Sequence, residues 1–114
     1  MKYMLMFCAS VDGHKEWEAL PQEVKDAGFA KMGQWFGANA DKLVMAQQLQ
    51  DPQTASTVRF TDGKPAVTDG PFIEAKEIIG GFAVVDVADH EAAVELAKGW
   101  PGQGTVEVRP VVER

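Results

Sequence analysis

The chain opens on an unbroken apolar run, Lys2 to Cys8, which has the length and continuity of a buried strand. Asp12-Gly13 then marks a turn or loop. Pro21 suits a first helical position, and Glu23 follows where the positive end of a helix dipole favours an acid. From Val24 to about Ala38, Phe29, Met32 and Phe36 recur at helical spacing with Trp35 beside them, so the pattern predicts a helix over Pro21 to Ala38. Gly28, Gly33 and Gly37 each weaken it by about 1 kcal/mol relative to alanine. Gly33 and Gly37, one turn apart, predict close approach to a sheet. Asp51-Pro52 reads as a loop. Thr57–Phe60 and Ala66–Thr68 read as strands joined at Asp62-Gly63, a strong hairpin signal. Asp69-Gly70-Pro71 stops the second strand, and Ile73 to Ile79 reads as a helical turn or irregular chain. Gly80-Gly81 opens an emphatic strand, Phe82–Val87. Asp89 is a good N-cap for a helix carrying Ala93, Leu96, Ala97 and Trp100 on one face and ending at Pro101-Gly102. In Thr105–Val112, Val106 and Val108 alternate with Glu107 and Arg109, the pattern of a half-buried strand.

The order β-α-β-(hairpin)-β-α-β predicts an α+β fold, a ferredoxin-like sandwich with two helices on one face of an antiparallel sheet. Lys2–Cys8 and Phe82–Val87 would lie at its centre, and both are apolar on both faces. Tyr3, Leu5 and Phe7 oppose Met4, Met6 and Cys8, while Ala83, Val85 and Val87 oppose Phe82 and Val84. Two helices cover one face only. About five apolar side chains would then meet water, leaving roughly 10 kcal/mol of burial unused. A homodimer packed sheet against sheet is the simplest cover. The alternative is that the segment 39–57 folds back over that face.

Length and composition narrow the function. A chain of 114 residues is the size of one domain, here residues 1–114, and 46% hydrophobic content is enough for a core. The net charge of −6, with basic residues scattered singly, argues against nucleic acid or an anionic membrane as partner. The N-terminal apolar run is too short for a signal peptide or a membrane span, which predicts a cytoplasmic protein. The one cysteine, Cys8, reads as a small buried hydrophobe. His14 reads as a loop residue ahead of the first helix and His90 as a first-turn helix residue. They share no ligand spacing with each other or with Cys8, so no metal and no cofactor is expected.

The most unusual local sequence is Thr68-Asp69-Gly70-Pro71-Phe72-Ile73-Glu74-Ala75-Lys76-Glu77, followed by Gly80-Gly81-Phe82. Gly70-Pro71 makes a rigid turn after a strand and holds the Asp69 carboxylate at a sheet end, with Glu74, Lys76 and Glu77 nearby. The same residues also suit an Asx-type turn with solvated charges. The stretch resembles the Asp-Gly-Pro-Phe-Ala-Glu-Thr-Lys-Glu signature of the DGPF branch of the YCII-related family. It departs from that signature at Ile73 and Ala75. The likeness extends to Met1-Lys2-Tyr3, Thr57-Val58-Arg59, the strand ending Asp86-Val87, and Val106-Glu107-Val108-Arg109-Pro110. It implies a dimeric α+β barrel of ferredoxin-like protomers. It also implies kinship with an enzyme that eliminates chloride from a hydroxylated aromatic intermediate. Relatives of that enzymatic branch pair an aspartate with a histidine on the first helix, and the predicted helix Pro21–Ala38 has no histidine.

Two functions follow. One is a cofactor-free isomerase or lyase acting on a small organic metabolite in a dimer pocket. Asp69 would be its acid or base, and Arg59, Pro71, Phe72 and Lys76 would hold the substrate. The other is a non-catalytic ligand-binding or regulatory accessory. The resemblance suggests this too, because DGPF members look like companions of extracytoplasmic-function sigma factors.

Overall fold

In a computed structural model, which describes residues 1–71 and 76–114, the two long apolar runs pair with each other. They are β1 (Lys2–Ser10) and a strand over Glu77–Asp86. Between them the chain forms α1 (Val11–Glu18), α2 (Gln22–Ala38), β2 (Leu43–Gln48), one 3-10 turn (Pro52–Thr54), β3 (Ser56–Thr61) and β4 (Lys64–Asp69). The Glu77–Asp86 strand is therefore β5, followed by α3 (His90–Lys98) and β6 (Thr105–Pro110). The main sheet is antiparallel with order β2-β5-β1-β6.

Alternation decides which face is buried. Tyr3 and Leu5 stand opposite Val85 and Ala83. These four, with Trp35 of α2 and Ala93 of α3, form the sealed core. The Trp35 indole N–H donates to the Leu96 carbonyl at 3.1 Å, tying α2 to α3 above the sheet. Asp89 caps α3 by accepting from the Ala92 amide at 2.8 Å. Trp100 lies just beyond that helix and stacks on Phe7 at 4.1 Å between ring centroids.

The expected homodimeric α+β barrel is corrected by this topology. The sheet is open, β2 and β6 are its edges, and β3 and β4 form a separate two-stranded sheet. The argument for a homodimer also loses its premise. Met4, Met6, Cys8, Phe82 and Val84, expected in water, are half-buried. Met4 is flanked by Val84 and Arg109, and Met6 by Phe82 and Glu107. On the other side of β5, Met45 and Gln47 face Val84 and Phe82. The Arg109–Glu107 ion pair, 2.7 Å long, thus lays its aliphatic stems beside the methionines. The helix-free face is an apolar stripe between polar edges. Segment 39–57 does not cover it either, because it supplies edge strand β2.

Other differences are local. Asp12-Gly13 lies inside α1, since Ser10 caps that helix by accepting from the Gly13 amide at 2.9 Å. The fifth strand starts at Glu77, and the register shift where Phe7 faces Gly81 and Cys8 faces Ile79 makes Gly80 the extra residue of a bulge within the strand. Among the described residues a Cβ on Gly33 or Gly37 would meet no atom within 4 Å, whereas one on Gly28 would stand 2.8 Å from the Trp17 ring. The glycine that matters for packing therefore admits α1, not the sheet.

Asp62 and Gly63 both take positive φ, 52° and 77°, closing the β3–β4 hairpin as a type I′ turn. Val58 pairs with Val67 and Phe60 with Pro65 on one face of this arm, and Phe60 is 74% exposed. The Cα radius of gyration is 15.9 Å, against about 13 Å for a compact chain of this length, and the arm's contacts run chiefly between its own two strands. No helix among the described residues is long and apolar enough to cross a membrane.

Two outcomes test this arrangement. Leu5→Ala, at a fully buried position, should cost about 2–5 kcal/mol in denaturant unfolding; a loss below 1 kcal/mol would contradict the core assignment. A two-stranded hairpin is marginal in water. Amide exchange in 56–69 should therefore run well ahead of β1 and β5, and equal protection would show the arm to be packed.

Candidate functional site

α1 is short and has no buried residue, so docking must hold it in place. Trp17 supplies the contact. It packs edge-on against Phe29 at 5.4 Å and occupies the space over Gly28. The Lys25 ammonium donates to the Glu18 carbonyl at 3.2 Å and closes the helix end. Between α1, α2 and the adjoining ends of β1, β2 and β5 lies a groove of ≈ 1490 Å³. Phe7, Trp17, Phe29, Phe36 and Trp100 form its aromatic wall, and His14, Glu16, Glu18 and Asp51 give it an acidic mouth. This volume exceeds the few hundred cubic ångströms of a closed small-molecule pocket, so a metabolite would fill one part of an open groove.

At the mouth, His14 Nε2 lies 3.4 Å from Asp51 Oδ2. The other oxygen of Asp51 accepts from the Gln53 amide at 2.9 Å, which makes Asp51 the cap of the Pro52–Thr54 turn. That backbone hydrogen bond is the main cause holding the Asp51 carboxyl below the ordinary carboxylate range; desolvation opposes it, and the hydrogen bond and charge of His14 add smaller lowering effects. Asp51 therefore stays an acceptor at neutral pH. It fixes the proton of a neutral His14 on Nε2 and leaves Nδ1 as the basic nitrogen. Glu18, four residues after His14, shares its helix face, and the ligand atoms of His14, Glu18 and Asp51 all lie within 4.8 Å of one another.

The residues singled out from sequence lie elsewhere. Asp69 is exposed at the end of β4, opposite Ser56. Its turn is held by the Gly70 amide donating to the Ala55 carbonyl at 2.7 Å and by the Thr57 hydroxyl donating to the Gly70 carbonyl at 2.9 Å. Arg59 is half-buried on β3, Pro71 is half-buried, and Lys76 is exposed. None of these four lines the groove. Phe72 and Glu74 fall outside the described residues. Burial first, then Glu77 and Glu107, push the Cys8 thiol up, so it stays protonated and unreactive at neutral pH. His90 stands edge-on to Tyr3 at 5.4 Å between ring centroids, a packing role.

His14 was placed ahead of the first helix, and this placement is corrected: the first helix is α1, and His14 is on it. The signal was present in Ser10 as a cap with Asp12 in the first turn, although Asp-Gly reads equally as a turn. Asp51 lies 37 residues from His14 and carries no local mark of pairing.

The comparisons with known proteins bear on the coarser part of the likeness, the YCII-related family. An uncharacterized protein of Rhizobium meliloti (strain 1021) is 37% identical over 76 residues. The match covers 63% of this chain and 61% of that protein. The YCII-related domain matches along residues 1–114, and the chain belongs to that family.

Proposed function

We propose that this chain, a YCII-related protein of the DGPF branch, is an acid–base enzyme of isomerase or lyase type acting on a small, neutral organic metabolite. The observation that carries the reading is the His14–Asp51 pair at the mouth of an aromatic-lined groove. His14 Nδ1 takes a proton from a carbon acid held against the aromatic wall, Asp51 stabilises the imidazolium that forms, and the proton returns at a neighbouring atom. Separation at 3.4 Å is longer than the roughly 2.7–2.9 Å of a charge-assisted hydrogen bond. Such contacts commonly tighten when substrate binds. Glu16, Glu18 and Asp51 outnumber Lys31 in the groove lining, which disfavours an anion and supports a neutral ligand. Asp69 on its rigid turn is the rival carboxylate, with Arg59, Pro71, Phe72 and Lys76 as the ligand contacts of that second reading.

Neutral cyclic enones and enol lactones in D2O, followed by proton NMR, give a test that needs no known substrate. Wild type should catalyse C–H to C–D exchange or isomerisation in at least one of them. His14→Gln and Asp51→Asn should lose about 10²–10⁴-fold of that rate, while Asp69→Ala keeps it. Loss in Asp69→Ala alone would move the site to the hairpin turn. Binding without exchange in wild type would favour the non-catalytic accessory.

A further inference from the structure

We infer that His14, Glu18 and Asp51 form a binding site for one divalent transition-metal ion, of the class of Zn²⁺. The donor set is one imidazole nitrogen and two carboxylates, which suits borderline ions and is poorly matched to Mg²⁺, an ion that prefers oxygen ligands and its own water. Geometry supports it from two directions. Donors about 2.0–2.2 Å from a tetrahedral ion stand about 3.4 Å apart, and His14 Nε2 and Asp51 Oδ2 are 3.4 Å apart. All the candidate donor atoms lie within 4.8 Å of one another, so the flexible Glu18 side chain needs only a small rotation to complete the set.

The elements that carry these donors also suit an ion. His14 and Glu18 are four residues apart on α1 and share a face. Asp51 is anchored through its other oxygen by the Gln53 amide, the outer hydrogen bond that orients a ligating carboxylate. Glu18 is the last residue of α1, where the helix dipole disfavours negative charge and a cation relieves it. Asp51 is 43% exposed and His14 25%, leaving an entry path and coordination positions open to the groove. Coordination replaces the Nε2 proton of His14, so a bound ion ends the hydrogen bond that orients the imidazole. Metal and proton-transfer chemistry therefore exclude each other at this pair. The site does not depend on the acid–base reading, since binding is measured without turnover.

Full-length protein stripped with a chelator, then titrated calorimetrically with Zn²⁺, tests the site. One ion should bind per chain with an excess of Mg²⁺ present, and the His14 ring signals should move in the NMR spectrum. Removing even an outer-sphere partner of a metal site costs about 10–100-fold in affinity. His14→Gln, Glu18→Gln and Asp51→Asn, each checked for an unchanged circular dichroism spectrum, should lose at least that much. Glu16→Gln, which removes a charge from the same mouth but no ligand, should bind as wild type does. No binding to wild type, unchanged affinity in His14→Gln, or an equal loss in Glu16→Gln would each overturn the proposal. A variant that fails to fold leaves the ring shifts in wild type to decide, since an ion held elsewhere would not move them. Zinc binding with no proton exchange would retain this site and remove the catalytic reading; exchange with no zinc binding would do the reverse.

Discussion

The antiparallel pairing of β1 with β5 is the constraint on which the rest of the molecule depends. Register places Tyr3 and Leu5 against Val85 and Ala83, so one face of both central strands is apolar without a gap. A shift by one residue would turn Met4, Met6, Phe82 and Val84 toward the helices and leave Tyr3 and Leu5 outside. Helices α2 and α3 then have one place to go, and the Trp35–Leu96 hydrogen bond fixes them there together. Phe7 extends the buried face to the end of β1, where it meets Phe36 and Trp100. The groove begins where that aromatic packing stops.

Much of this was legible in the sequence because its signals are local. Continuous apolar runs marked both central strands, Asp89 marked the start of α3, and Asp62-Gly63 marked the hairpin turn. The illegible parts depend on contacts distant in sequence. α1 buries no residue of its own and docks through Trp17 over Gly28, a fit no periodicity reveals. Edge strand β2 is mostly exposed, and its apolar run, Leu43 to Ala46, is too short to betray it as a strand of the main sheet. The glycine pair of β5 punctuates a strand in sequence, and Gly80 bulges it in space. The barrel expectation failed for a related reason. It counted the apolar side chains of the two central strands and left out Gln47, Glu107 and Arg109, which edge the same face.

The candidate site shows the same division more sharply. Asp69, Arg59 and Lys76 attract notice because they surround an unusual turn, yet that turn sits at the root of an arm that stands away from the groove. His14 and Asp51 attract none, being ordinary residues 37 positions apart. What joins them is the docking of α1. That docking places the histidine on the first helix, and the cap of a short 3-10 turn aims the aspartate at it.

The chemistry available at the groove follows from its charge more than from its shape. The ligand atoms of Glu18 and Asp51 lie within 4.8 Å of that of His14, on a chain that is itself acidic. Carboxylates gathered at one mouth favour positive charge in the space between them. The proposed proton transfer and the proposed ion thus draw on the same side chains. Glu18 separates them: proton transfer needs only the His14–Asp51 pair, whereas an ion needs a third donor. Its position one helical turn from His14 puts that donor at the mouth without any change in the backbone. The aromatic wall behind would hold a ligand's apolar body under either proposal.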